Sequence, residues 1–218
     1  MAKRHGLSAS FMPKLFDSEN GSGMHFKISA FDDNGKNIFE DNAKLSDRAK
    51  STIAGILHHA RELSLINNPL VNSYKRLKPN FDAPVYVSWS SNSNRSALLR
   101  IPTERNNQIK LELRSPDSAT NPYLCIAMII YSILDGLENS MELEDAINEN
   151  MYSGKKYNIK KLPDTLSEAI DEFESSDFVK EKLGIQIFNE YVEAKKIEWN
   201  EFNNAITDWE IKKYLERF

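Results

Sequence analysis

The period of the apolar residues changes at Asn121-Pro122, and this change constrains the fold more than any other feature of the sequence. Before it, apolar and polar residues alternate in short runs at residues 85–89, 97–101 and 109–113, which is typical of β-strands. Asparagine is a preferred helix N-cap and proline is favoured at the first helical position, so the apolar run that follows predicts a buried helix. The sequence therefore predicts an α+β fold, in which an antiparallel sheet is followed by packed helices and a helical C-terminus.

The N-terminal part of the chain shows the same alternation. His25, Lys27 and Ser29 alternate with apolar neighbours, and residues 7–42 as a whole are predicted to form strands. Asn34-Gly35 predicts a tight hairpin turn within this region. The polar stretch at residues 103–108 predicts a connecting loop.

Two helical regions are expected besides the one after Pro122. Ser46 is expected to cap a helix with one apolar face, and His58 and His59 lie near its end. Adjacent helical residues point about 100° apart, so we expect these histidines at the surface or the helix terminus rather than on a shared metal. From Thr165 onward the pattern is helical. We therefore predict a main region at residues 1–160 and a helical C-terminal extension of the same domain at residues 161–218.

Composition excludes several classes of protein. The net charge of −4 argues against a general binder of nucleic acid or membrane surfaces, because there is no basic excess to neutralise phosphates. The longest apolar run is too short to span a bilayer, and no signal peptide is visible. Cys125 is the only cysteine and lies in an apolar run, which predicts a core position, no intrachain disulfide and a cytoplasmic protein.

One predicted strand carries a row of charged residues. Leu111 alternates with Lys110, Glu112 and Arg114, so the three charged side chains share one face. Such a row is often a solvated sheet face, and the residues alone leave that alternative open. The arginines found elsewhere in the chain favour a binding site instead.

Arg76, Arg95 and Arg100 have no acidic neighbours in sequence that would explain them as simple ion pairs. The planar guanidinium group binds phosphate or carboxylate oxygens through two parallel hydrogen bonds and stays charged, which suits an anion site. The turn Asn20-Gly-Ser-Gly-Met-His25 is expected to allow close backbone approach and positive φ at its glycines and to deliver His25 to a strand end. No Gly-Lys-Ser/Thr phosphate loop is present.

These residues lie in motifs that resemble a known family, the catalytic domain of glutamine synthetase. The motifs occur in order through nearly the whole chain, and the segment Leu162-Pro-Asp-Thr-Leu-Ser-Glu-Ala169 is similar to the bacterial and archaeal form that is not regulated by adenylylation. The matching motifs are Asn20-Gly-Ser-Gly-Met-His25, Asn72-Ser-Tyr-Lys-Arg-Leu77, Asn94-Arg-Ser-Ala97 with Arg100-Ile-Pro102, and Glu112-Leu-Arg-Ser-Pro-Asp117 with Asn121-Pro-Tyr-Leu124.

The resemblance implies an ATP-dependent ligation of ammonia to glutamate through a γ-glutamyl phosphate, with Mg²⁺ or Mn²⁺ and a homo-oligomeric ring in the full-length parent. By the same resemblance, His25 and Glu112 correspond to metal ligands, and Asp82 and Arg95 to catalytic residues. The remaining positions correspond to the glutamate-binding residues Gly21, Arg76 and Arg114 and to the nucleotide- or phosphate-binding residues Lys27, Ser29, Arg95, Arg100 and Lys110.

The chain also departs from the family pattern. Asp82 stands where the family usually has glutamate in the loop that closes over the intermediate, so the carboxylate is one methylene shorter. Lys27 stands where the family usually has histidine or asparagine. The N-terminal domain and the early strands that supply most metal-binding carboxylates have no counterpart, so we expect the isolated chain to be inactive.

Two other functions stay open at this level. The chain could be a non-catalytic module that associates with full-length glutamine synthetase, because a helical tail is present beside an incomplete site. A relative that ligates another amine to glutamate is the third alternative, since the change at Asp82 affects the loop expected to face the attacking amine.

Overall fold

A computed structural model of the protein describes residues 1–42, 44–79, 81–102, 109–153 and 157–218. A short 3₁₀ helix, Ala2–His5, opens the chain. The strands of the described part are β1 (Phe26–Ile28), β2 (Glu40–Asp41), β3 (Lys44–Leu45), β4 (Tyr86–Ser90), β5 (Ala97–Arg100) and β6 (Leu111–Leu113). The α-helices are α1 (Asp47–His58), α2 (Ser64–Asn67), α3 (Ser73–Arg76), α4 (Pro122–Glu138), α5 (Leu166–Glu174), α6 (Asp177–Leu183), α7 (Ile185–Asn204) and α8 (Asp208–Tyr214).

The α+β class is confirmed, but the main sheet is mixed rather than wholly antiparallel. Its order is β1-β6-β5-β4, with antiparallel pairing of β1 with β6 and of β6 with β5. The edge pair β4–β5 is parallel, with Tyr86 opposite Ala97 and Ser90 opposite Arg100. Residues 91–96 carry the chain back to the level of Tyr86, and alternation of side chains reports burial but not strand direction.

Most of residues 7–42 is irregular, so the prediction of strands throughout this region is wrong. Here the backbone bonds to distant loops, with Ser22 N 2.8 Å from Pro13 O and Met24 N 2.9 Å from Pro116 O. The predicted turn at Asn34-Gly35 is present, since Gly35 has φ 75° and its N–H donates to Asp32 O. The stretch 103–108, predicted to be a loop, lies outside the described residues.

Helices α1 and α4 pack tightly against each other beneath the sheet. Their predicted caps are both present: Ser46 accepts from Ala49 N, and Asn121 accepts from the first turn of α4. Gly55 and Gly136 meet at the crossing, and a Cβ built on Gly55 would lie only 2.8 Å from Gly136 Cα. A side chain at either glycine would therefore force the two helices apart.

Helix α4 is only half buried, contrary to the prediction of a buried helix. One face packs on α1 and the core through Cys125, which is buried as predicted, and Met128. Ile126, Ile130 and Leu134 are exposed on another face, one turn apart from each other. The described residues include no helix that is long and apolar enough to cross a membrane.

The predicted helical C-terminus consists of α5 to α8. Phe173, Val179, Phe188 and Val192 from α5, α6 and α7 join the same hydrophobic cluster that contains the core of α1 and the sheet. Helix α8 has no buried residue and begins at a capping box formed by Thr207 and Glu210.

Candidate active site

Glu112 is buried at the centre of a cluster of charged and titratable residues on the sheet. Only 3% of Glu112 is exposed, although a solvated strand face was the alternative reading of its sequence. Arg100 Nε lies 3.2 Å from Glu112 Oε1, and Arg100 Nη2 lies 3.3 Å from Oε2. Arg114 Nε and His25 Nδ1 lie 3.5 and 3.3 Å from Oε1. We call His25, Arg100, Glu112 and Arg114 the Glu112 cluster.

The strand register explains why these side chains meet. Glu112 in β6 pairs with Lys27 in β1 on one side and with Arg100 in β5 on the other. Directly paired residues of antiparallel strands point to the same face of the sheet, so Arg100 is brought beside Glu112. His25 comes just before β1 and reaches the same carboxylate.

Asp82 connects the Glu112 cluster to the loops above it. Arg114 donates to Arg95 O and, over 3.0 Å, to Asp82 O, while the Asp82 side chain lies 3.0 Å from Arg95 Nη1. Asn20 Nδ2 lies 3.4 Å from the same Asp82 carboxylate. Asp82 has φ 53°, a left-handed backbone conformation that only a few residue types tolerate. The three loops that carry Asn20, Asp82 and Arg95 therefore meet at one carboxylate.

The glycines at positions 21 and 23 provide close approach, not positive φ. A Cβ on Gly21 would lie 2.5 Å from Arg76 Cγ, and one on Gly23 would lie 3.1 Å from both Arg76 Nη1 and His25 Nε2. Neither glycine is among the residues with positive φ. The turn therefore packs its bare backbone against Arg76 and His25.

Arg76 is buried beneath this turn. Its Nη2 donates to Ser115 O and, over 3.3 Å, to Pro116 O, and its Nε has no hydrogen-bond partner. Burial lowers the pKa of Arg76, and the charge of Asp117 opposes that shift. A buried guanidinium group with an unused N–H favours a bound anion at this point.

The sequence interpretation missed the residues that support Arg76. Asn68 Nδ2 donates to Ser115 O over 2.8 Å and to Asp117 Oδ2 over 3.1 Å, and both Asn68 and Asp117 are fully buried. Asp117 ends a motif that was recognised, and Asn68 precedes a proline, but neither fact indicates that the two side chains meet. The contact joins residues far apart in sequence.

The three remaining candidate positions lie beside the cluster rather than within it. Lys27 and Ser29 line a groove of about 280 Å³ between β1 and the exposed face of α4. Lys27 is exposed, and Lys110 is half-buried just before β6. A lining of isoleucines with lysine and serine at the rim suits a flat ligand group with polar edges.

Positive charge dominates the site. Among the described residues, four arginines, Arg76, Arg95, Arg100 and Arg114, face three carboxylates, Asp82, Glu112 and Asp117, which leaves an excess of one positive charge. Burial, followed by the charge of Arg100, lowers the pKa of Arg114 to about 10. The site is therefore suited to anions.

The protonation state of His25 depends on burial and on this excess of positive charge. Burial and then the Arg114 charge lower the pKa of His25, although Glu112 acts in the opposite direction. The neutral imidazole that results is the form that ligates metal ions.

His25 and Glu112 fit only part of a divalent-metal site. Their ligand atoms are 3.3 Å apart, close enough to share one ion. Among the described residues no three His, Cys, Asp or Glu side chains gather to hold a metal. Mg²⁺ and Mn²⁺ need several oxygen ligands, so these two side chains alone do not complete a coordination sphere.

A polar cavity of about 380 Å³ opens beside Asp82 and Arg95. Tyr152 closes one side and donates its hydroxyl to Ala83 O over 2.5 Å. Asn94 anchors the loop opposite, because its Nδ2 donates to Ile147 O and Glu149 O. The cavity therefore has rigid polar walls next to the carboxylate of Asp82.

The sequence matches the model of the family described as glutamine synthetase, catalytic domain, over residues 1–214. It is 45% identical to a glutamine synthetase of Methanosarcina mazei and 44% identical to one of Thermotoga maritima, in both cases across 99% of this chain. Solved structures described as apo GmaS without ligand and as a GmaS/ADP complex superpose with TM-scores of 0.86 and 0.87 at 33% and 32% identity, across 99% and 98% of this chain.

The chain spans about half the length of the curated relatives it matches, 49% of the Methanosarcina protein and 50% of the Thermotoga protein. It also covers 50% of each of the two solved chains. The similarity therefore extends through this chain but not through the whole of its relatives.

Proposed function

Because the chain belongs to the family of glutamine synthetase catalytic domains, we propose that it forms the arginine-bearing half of a site that ligates ammonia to glutamate with ATP. The observation that carries this proposal is the Glu112 cluster together with Arg76 and Arg95, an anion site in which four arginines outnumber the carboxylates Asp82, Glu112 and Asp117 among the described residues. Phosphoryl transfer depends mainly on positioning and on neutralising charge, which is what such a cluster supplies.

In the proposed reaction, the γ-carboxylate of glutamate takes the γ-phosphoryl group of ATP and ADP is released. Ammonia then attacks the γ-carbonyl carbon, and phosphate leaves as the C–N bond forms. Arg95 and Arg100 neutralise the phosphoryl oxygens, while Gly21, Arg76 and Arg114 hold glutamate. Asp82 accepts the proton that ammonium must lose, and its pair with Arg95 holds it at the edge of the polar cavity.

Nucleotide and metal are assigned to the residues around this centre. Lys27, Ser29 and Lys110 would contact the nucleotide, with Lys27 and Ser29 at the rim of the groove along α4. His25 and Glu112 would hold one side of a Mg²⁺ or Mn²⁺ ion, which would supply positive charge to stabilise phosphate oxygens.

The second half of the site is proposed to come from outside these 218 residues. Two candidate metal ligands do not form a full coordination sphere, so we expect no turnover by the isolated chain. In the full-length parent we propose a homo-oligomeric ring in the cytoplasm. We also propose that residues 161–218 extend the main domain, since their buried aromatic residues join its core.

Titration calorimetry with ATP, with and without Mn²⁺, tests the assignment. We expect ATP to bind the chain, and Arg100→Gln to weaken it about tenfold through loss of charge-assisted hydrogen bonds. Arg48→Gln is the matched control, because Arg48 is exposed on α1 and outside the cluster. Absence of ATP binding, or equal effects of the two variants, contradicts the proposal. Robust Mn²⁺-dependent γ-glutamyl transfer by the lone chain refutes only the claim that it is inactive.

A second function is favoured by one observation, the uncovered surface beside the site. β1 is an edge strand of the main sheet, and the exposed isoleucines of α4 lie next to it. Open strand edges beside apolar surface recruit other chains. A non-catalytic module that associates with full-length glutamine synthetase would use this surface. Co-purification with such an enzyme supports it, and a strictly monomeric, non-associating chain rules it out.

A third function rests on the polar cavity beside Asp82. Aspartate is shorter than glutamate, and about 380 Å³ of space adjoins it, which leaves room for an amine larger than ammonia. Product analysis of the full-length parent with ammonia and several primary amines distinguishes the two. Exclusive formation of glutamine excludes the larger amine.

A further inference from the structure

A histidine outside the Glu112 cluster is buried between three elements. His59 follows α1 and is 3% exposed. Its Nε2 lies 2.8 Å from Asp135 Oδ2 of α4, and its Nδ1 contacts Glu62 Oε1. The ring stacks on Phe178 of α6 with centroids 3.7 Å apart and an interplanar angle of 17°. We call His59, Glu62, Asp135 and Phe178 the His59 cluster. The sequence interpretation placed His59 correctly at a helix terminus, but not its burial.

Both carboxylates receive a hydrogen bond from the ring only when the imidazole is protonated. A charged ring has two N–H donors, one for each carboxylate, whereas a neutral ring has one donor and one lone pair. In the neutral ring, one carboxylate would therefore face an acceptor. Burial alone lowers the pKa of His59, but the hydrogen bonds that the ring donates to Glu62 and Asp135 outweigh it and raise the pKa above the usual histidine value.

The other charged groups around the cluster have their own partners. His58, on the exposed side of α1, meets the His59 ring edge-on at a centroid distance of 4.8 Å. On α6, Lys182 Nζ lies 6.0 Å from the Phe178 ring centroid. Its bond to Glu181 and the charges of Glu138 and Asp135 raise its pKa, so Lys182 also faces the carboxylate of α4.

Arg61 is directed away from the cluster, toward α5. Its guanidinium group lies 2.8 Å from Glu168 and 2.6 Å from Glu172. These contacts pair Arg61 with carboxylates of α5 rather than with those of the His59 cluster. Glu62 and Asp135 are therefore the two carboxylates that His59 holds.

The helices that follow α6 hold the segment that leads to Arg76. In α7, Tyr191 donates its hydroxyl to Leu65 O over 3.1 Å, and Glu198 accepts from Val71 N over 3.2 Å. The chain continues from Val71 into α3, which ends at Arg76. Loosening of α6 would thus loosen the packing that positions the approach to a candidate substrate residue.

We propose that His59 forms a pH-dependent contact between the C-terminal helices and the α1–α4 pair. The protonated ring binds both Glu62 and Asp135 and packs against Phe178. The deprotonated ring releases one carboxylate, and α6 is then held less tightly. Because the pKa is raised on folding, the stabilisation is complete below the unfolded value of about 6.5. It is lost as the pH rises through the higher folded value. The contact therefore weakens as the pH rises above the usual histidine value.

Thermal melts of the intact chain between pH 6 and pH 8.5 test whether this contact depends on pH. His59→Gln should melt several degrees below the wild type at pH 6, and the gap should narrow by about 2–4 °C toward pH 8.5. The difference between the two proteins isolates His59, since other groups titrate equally in both. His5→Gln is the matched control and should keep the wild-type pH dependence, because His5 is exposed and lies outside the His59 cluster.

Direct titration keeps the proposal falsifiable if His59→Gln does not fold. Histidine NMR of the wild-type chain should show His59 titrating above pH 6.5, with hydrogen exchange of α6 amides accelerating through the same pH range relative to α1. A His59 midpoint at or below 6.5 overturns the proposal. So does a gap between wild type and His59→Gln that is constant with pH.

Discussion

Two histidines of this protein, the partly exposed His25 and the buried His59, have opposite surroundings. His25 shares one carboxylate, Glu112, with Arg100 and Arg114, and its pKa is lowered. His59 lies between two carboxylates, and its pKa is raised. Both rings are partly removed from water, so burial acts on them in the same direction. The sign of the neighbouring charge decides the difference.

The contrast distinguishes a binding site, around His25, from a structural contact, around His59. Around His25, positive charge remains unbalanced and an imidazole is kept neutral, which prepares the cluster for an anion and for a metal ion. Around His59, both ring nitrogens are used within the chain and nothing is left for a ligand. Satisfied charges hold helices together, whereas unbalanced ones indicate a site.

Replacing Glu112 should break the first cluster with the largest effect on stability. Glu112→Gln leaves Arg100 and Arg114 buried without their counter-charge, so we expect a loss of about 3 kcal/mol in the free energy of unfolding. Urea denaturation measures it. Glu142→Gln, at an exposed position, is the control and should change stability by less than about 0.5 kcal/mol. An equal, small effect of both variants would mean that the Glu112 cluster is not held by charge.

Much of the first cluster followed from the sequence, because strand alternation places Glu112 and Arg114 on one face whatever the rest of the fold. The parallel pairing of β4 with β5 did not follow, since a short connection between two strands normally indicates a hairpin. The burial of His59 could not be predicted from the sequence either. It depends on Asp135 and Phe178, which a tertiary fold brings to the end of α1.

Helix α4 also has features that could not be predicted from the sequence. Its cap and its apolar composition predicted a helix in the right place, but composition does not reveal which face has a partner. The close contact of Gly55 with Gly136 was not predicted either, because a single glycine in a helix has no distinctive neighbours in sequence.

Removing one carboxylate from the His59 cluster should have an intermediate effect. Asp135→Asn weakens a charge-assisted hydrogen bond to His59, and we expect a loss of about 1–2 kcal/mol at pH 6 and a smaller loss at pH 8.5, where His59 carries less charge in the wild type. Urea denaturation at both pH values measures this. A loss that grows with pH would contradict the assignment of a charged ring.

The smallest effect on stability is expected at the exposed pair. Asp82 and Arg95 side chains are 49% and 65% exposed, so Asp82→Asn should change the free energy of unfolding by no more than about 0.5 kcal/mol. Asp47→Asn, in the exposed pair with Lys50, is the matched control for stability. A loss of several kcal/mol at Asp82 alone would show that it is a structural residue rather than one held ready for substrate.

One measurement tests the division between the two histidine regions most directly. The ring signals of His25 and His59 are followed by NMR while ATP is added to the intact chain at constant pH. We expect the His25 signals to shift with saturation and those of His59 to stay in place, because of these two clusters the Glu112 cluster is the one with charge left for an anion. Movement of His59 alone, or of neither histidine, would contradict this expectation.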